Sequence, residues 1–102
     1  MQIRNERVYE TELHRMRGEL LMSIRDLAGA EASFHEAIAV AQRQSAKLFE
    51  LRSAISMARL WRDQGKRQEA RELLAPVYGW FTEGFDTLDL KEAKALLDEL
   101  HT

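Results

Sequence analysis

The chain has no cysteine, one proline (Pro76) and five glycines among its 102 residues. Without cysteine there is no disulfide framework, no thiolate zinc site and no cysteine nucleophile, and a reducing, cytoplasmic setting is the expectation. Scarcity of proline and glycine removes most of the punctuation that ends helices, so long helical segments are favoured. No apolar run approaches the ~20 residues that a membrane span requires. The opening Met1-Gln2-Ile3-Arg4-Asn5-Glu6-Arg7 has no apolar stretch of the secretory kind and runs directly into a helical pattern, as in a piece of a longer chain.

What is present is ordinary for a folded domain: 45% hydrophobic and 31% charged residues. Residues 1–102 make one domain, able to bury roughly two-thirds of its unfolded surface. Charge is unevenly spread. Residues 1–71 carry 13 basic and 10 acidic groups, including all 11 arginines, whereas residues 72–102 carry 2 basic and 7 acidic groups. A basic excess of three over 71 residues is too dilute for the clustered phosphate contacts that nucleic-acid binding relies on.

Apolar residues at Tyr9, Leu13, Met16, Leu20, Ile24 and Leu27 recur every three or four positions and predict a first helix, with a turn over Leu27-Ala28-Gly29-Ala30. A second stripe runs Ala30, Phe34, Ala37, Ile38, Ala41. A third, Leu48, Leu51, Ala54, Ile55, Ala58 and Trp61, ends at Gln64-Gly65-Lys66, where Gly65 can adopt the left-handed conformation that closes a helix. The fourth, Ala70 through Phe81, contains Pro76, which predicts a kink or restart near Ala75. Gly84 breaks the chain, and Thr87 can cap a fifth helix through Leu100. No segment alternates as a half-buried strand does. The fold class is all-α.

Self-comparison shows a repeat at forty residues. Ala30-x3-Phe34-x2-Ala37 corresponds to Ala70-x3-Leu74-x2-Val77, and Gly18 and Leu21 to Ala58 and Trp61. Small residues allow helix backbones to approach, and bulky ones fill the space between them. In these positions the sequence resembles the tetratricopeptide repeat, through Gly18, Leu21, Ala30, Phe34 and Ala37 in one unit and Ala58, Trp61, Gly65, Ala70 and Leu74 in the next. The family's early Trp is here His14 and Ala54, and its terminal Pro is Gln42. The family's period of ~34 residues is stretched to forty, which points to a longer second helix or a wider turn around Gln42–Ala46. The resemblance implies two antiparallel helix–turn–helix units plus a C-terminal capping helix, in a right-handed α–α superhelix.

The stretches Leu51–Arg67, Ala75–Thr87 and Leu90–Leu97, with Glu12–Arg15 and Arg17–Leu21, also resemble the C-terminal helical-repeat region of large bacterial signalling proteins. In those proteins an adenylate/guanylate cyclase domain or a transcription-regulator-like domain precedes a predicted ATPase and then such repeats. The resemblance implies a non-catalytic interaction module in such a parent protein. Its partners would be the parent's other domains or an acidic peptide segment.

Motifs for chemistry fall short. His35-Glu36 begins a zinc-protease helix motif, but the second histidine is replaced by Ala39. Gly65-Lys66 lacks the upstream glycine of a phosphate loop, and the serines lack the signature of an activated nucleophile. No catalytic, metal or cofactor residue is assigned.

Binding is better motivated. The first helix of each repeat lines the concave face in the tetratricopeptide family. Carried over, that face includes Glu12, Arg15, Glu19, Met22 and Ser23, then Arg52, Ile55, Arg59, Arg62 and Asp63. Arg15, Arg52, Arg59 and Arg62 could grip an acidic segment by bidentate hydrogen bonds, or could simply pair with neighbouring acids. The aromatic run Tyr78, Trp80, Phe81 and Phe85 is either covered by the fifth helix or left as a self-association patch. On a single helix, Trp80 and Phe81 would point to different sides. An exposed repeat end near Val8 and Tyr9 offers a further route to a homodimer. A purely structural cap of a longer helical array is the alternative, and a nucleic-acid-binding helical repeat is a third, less supported one.

Overall fold

The computed structural model describes residues 3–101, with side chains over residues 9–101. It contains five helices: α1 (Ile3–Ser23), α2 (Leu27–Arg43), α3 (Lys47–Asp63), α4 (Arg67–Gly79) and α5 (Leu88–His101). No strand occurs among the described residues. The molecule measures 44 × 35 × 19 Å, and the shortest dimension is that of two helix layers, each about 10 Å across. α1, α3 and α5 form one layer. α2 and α4 form the other, their backbones held apart while Leu73 of α4 packs against the cluster that α2 forms with α3.

Three linkers repeat one design. Arg25, Ser45 and Gly65 have φ of 69°, 55° and 82°, and each stands twenty residues after the last. Each linker closes the preceding helix with the same pair of bonds. The amides of Asp26, Ala46 and Lys66 donate to the carbonyls of Leu21, Ala41 and Trp61 at 2.8, 2.9 and 2.8 Å. Those of Arg25, Ser45 and Gly65 donate to Met22, Gln42 and Arg62 at 3.0, 3.1 and 3.0 Å. This is the Schellman arrangement, in which one left-handed residue satisfies the last carbonyls of a helix. The turn expected at Leu27–Ala30 therefore lies earlier, at Ile24–Asp26. Asp26 caps α2 by accepting from the Gly29 amide at 3.0 Å, and Gly29 is inside the helix.

Of the two origins expected for the forty-residue period, longer helix or wider turn, the structure has helix length. α2 and α3 are both 17 residues long, and the three linkers are equal. The added length therefore lies in the helices, and the turn at Gln42–Ala46 is not widened. α4 continues through Pro76 without a restart and ends at Gly79. Pro76 is exposed there. Thr87 stands at the start of α5, its carbonyl accepting from the Lys91 amide at 3.0 Å.

The core lies on both sides of α3. Ala30, Phe34 and Ile38 of α2 meet Met57 and Leu60 on one side. Leu51, Ala54, Ile55 and Ala58 meet Ala70, Leu74, Leu90, Ala93, Leu96 and Leu100 on the other. α1 is fixed to α2 by a close approach. A Cβ at Gly18 would come within 2.5 Å of the Phe34 ring, and the buried Thr11 hydroxyl donates to the Ala37 carbonyl at 2.7 Å.

Two stability outcomes are expected in urea denaturation. Gly18→Ala forces the buried Phe34 ring to move and costs about 1–3 kcal/mol. Gly65→Ala costs about 1 kcal/mol because a Cβ is disfavoured at positive φ, whereas Arg25→Gly and Ser45→Gly relieve the same strain and are neutral or stabilising.

Candidate functional site

Along the α1–α3–α5 layer Arg15 and Arg52 share Glu12, while Arg59 and Arg62 each make their own pairs with α5. Glu12 lies near Arg52 (3.9 Å), and the Ser56 hydroxyl donates to Glu19 at 2.6 Å. Across the next seam, Arg52 binds Asp89 at 3.1 Å and Arg62 binds Glu99 at 3.1 Å. Start pairs with start and end with end, so α1, α3 and α5 run parallel. The short linkers dictate this, because two successive reversals return the chain to its first direction.

Each arginine already has a carboxylate. Arg15 holds Glu12 through two bonds of 3.1 and 2.9 Å and lies 3.9 Å from Glu19. The Arg52 guanidinium also stacks on Phe49, 5.0 Å from its centroid. Arg59 lies 3.7 Å from Glu92, and Arg62 binds Asp63 at 3.0 Å as well as Glu99. The hydrogen bond to Glu12 raises the Arg15 pKa above its ordinary value against the opposing effect of burial. The bond to Asp63 does the same for Arg62. Both stay charged at any pH at which the protein is folded. Three of the four arginines are thus engaged by α5 itself, whose acids fill the place that an acidic segment was expected to take.

The aromatic run divides. Tyr78 and Phe81 are half-buried against the α3–α4–α5 core, while Trp80 and Phe85 are exposed. Trp80 and Phe81 face solvent and core respectively, as expected of successive residues in a right-handed helical turn. Their rings meet edge-on at 5.2 Å, and Lys47 Nζ lies 5.4 Å from the Trp80 ring centre. Tyr78 and Phe85 are 5.8 Å apart.

A longer row of exposed apolar side chains lies elsewhere. Tyr9, Leu13, Met16, Leu20 and Ile24 of α1 and its following linker are 56–70% exposed. At 100° per residue they cluster opposite Thr11 and Gly18, the buried residues of α1. Repeat position explains why the stripe is apolar. Forty residues on, Leu13, Met16 and Leu20 correspond to Ser53, Ser56 and Leu60, all buried on α3. Leu60 packs against α2, and Ser56 bonds to α1. In α1 no helix among the described residues covers the same face. The helical spacing of the stripe was readable in the sequence, but its exposure required the position of α2. The Val8 side chain lies outside the described residues.

No group of three or more His, Asp or Glu side chains among the described residues is placed to hold a metal ion. No helix among them is long and apolar enough to cross a membrane. His35 sits edge-on to Trp61 at 6.0 Å and 3.8 Å from Glu31. A shallow cleft between α4 and α5, lined by Arg71, Glu72, Ala75, Pro76, Leu97 and His101, is wide open to solvent. Small-molecule sites are normally enclosed. No protein-family model matches the chain, and comparisons with curated proteins and with solved structures return no match.

A double-mutant cycle tests the α3–α5 pairing. Arg52→Ala with Asp89→Ala is expected to give a coupling of about 0.5–1 kcal/mol in urea denaturation, reduced by added salt, since both groups are partly screened by solvent.

Proposed function

We propose that this chain is a non-catalytic protein-interaction module of tetratricopeptide-like helical repeats, and that the α1 stripe is its contact surface. The supporting observation is the contrast between the two faces of α1. One is fitted to Phe34 with no room for a methyl group, while the other exposes five large apolar side chains in a row. Monomeric proteins rarely leave so contiguous an apolar patch in water, and such patches mark interaction sites. The arginine row is a weaker candidate because its capacity is already taken up by Glu12, Asp89, Glu92 and Glu99.

A second reading, a cap that closes a longer helical array, is favoured by the difference between the two ends. Exposed residues of α5 include Lys91, Lys94 and Asp98, the polar outer surface that terminal repeats require. In that reading the chain belongs to a larger signalling protein of the kind its sequence resembles, and α1 meets the preceding repeat.

A photo-crosslinking residue at position 16 tests the contact surface, with position 69 on the exposed side of α4 as control. A discrete protein adduct is expected at 16, absent at 69 and lost with Leu13→Glu plus Leu20→Glu. These exposed changes should alter the stability of the isolated chain by no more than about 0.5 kcal/mol each, against 2–4 kcal/mol for buried Leu60→Ala. Absence of any adduct at 16 would overturn the proposal.

A further inference from the structure

We infer that the occupant of the α1 stripe is a second copy of this chain, packed antiparallel about a two-fold axis. The inference rests on the reading of α1 as a contact surface and adds the identity of what it contacts. Three features of the helix support it.

The first is spacing. Tyr9, Leu13, Met16 and Leu20 follow one another by four, three and four residues, the seam that lets two helices interlock along their length. In an antiparallel pair, setting Leu13 against Met16 of the second copy also sets Tyr9 against Leu20 of the second copy. Every position of the seam is then opposed by an apolar side chain, and the surface is complementary to itself, as a two-fold interface requires.

The second is charge. Glu10 and Arg17 are exposed and lie on the same flank of the stripe, seven residues or two turns apart. No ion pair among the described residues engages either. The antiparallel setting brings Glu10 beside Arg17 of the second copy and repeats the pair across the axis. On the opposite flank, Glu12 and Glu19 are turned toward their own chain and held by Arg15, Arg52 and Ser56. A parallel setting leaves Glu10 without an opposite charge and draws on Glu12, which is already engaged.

The third is area. Each of the four seam residues is more than half exposed, and Glu10 and Arg17 widen the surface along one flank toward the ~800 Å² per partner of a stable interface.

Sedimentation of the full chain from low micromolar to several hundred micromolar concentration tests the inference. A reversible monomer–dimer equilibrium is expected for the wild type, and Met16→Glu should stay monomeric with unchanged circular dichroism. Glu10→Arg and Arg17→Glu should each weaken the dimer about tenfold, by placing like charges together. An equimolar mixture of those two variants should dimerise at least as well as wild type, because both cross-pairs become opposite in sign. A wild type that is monomeric throughout overturns the inference, as does a dimer indifferent to Met16→Glu. A dimer lost with Met16→Glu but indifferent to Glu10→Arg overturns the antiparallel setting. If the chain is monomeric while position 16 crosslinks to a different protein, only the second copy is wrong. If position 16 gives no adduct at all, the contact surface itself is wrong.

Discussion

Close packing around α3 is the constraint on which the other helices depend. It contacts α1, α2, α4 and α5, and Ser53, Ala54, Ser56 and Ala58 are all buried along it. A helix surrounded on so many sides must be narrow where neighbours cross and wide where they leave gaps. Leu51, Ile55, Met57 and Leu60 supply the wide positions and divide between the two core clusters. Trp61 packs against both clusters, so the two parts of the core share a side chain.

This arrangement gives the molecule unlike ends. On one side α5 lies along α3, closes the second core and meets the arginines with Asp89, Glu92 and Glu99. On the other side α1 covers α2 with one face and leaves an apolar face outside. At corresponding positions α3 buries Ser53, Ser56 and Leu60, whereas α1 exposes Leu13, Met16 and Leu20. Two of the three are larger in α1, and the third is the same residue in the opposite environment.

Much of the fold was legible because its signals are local. The stripes from Ala30 to Ala41 and from Leu48 to Trp61 fall on α2 and α3, and Gly65 takes the left-handed conformation expected of it. The first turn was displaced because Gly29 resembles a breaker, whereas Arg25 and Asp26 carry the reversal. Gly29 is small for another reason: a Cβ there would meet the capping Asp26 carboxylate at 2.5 Å. The end of α4 was placed too late because Val77, Tyr78 and Phe81 keep the helical spacing beyond Gly79. The site was less legible. A row of arginines is visible in a sequence, but the acids that occupy it lie 33–37 residues away on α5. Likewise, periodicity identifies an apolar face without revealing whether anything covers it.

The equal spacing of Arg25, Ser45 and Gly65 gives the chain a natural unit of length. A block from Asp26 to Gly65 begins and ends at equivalent points in the same bend, so its ends join as the existing linkers do. A chain carrying this block twice would gain one helix pair while keeping α1 first and α5 last. The connection after α4 does not share this property. It leaves Trp80 in a right-handed conformation and crosses to α5 by a longer path, out of step with the twenty-residue spacing. The first two-thirds of the chain therefore advances in equal steps of twenty residues, and the last third does not.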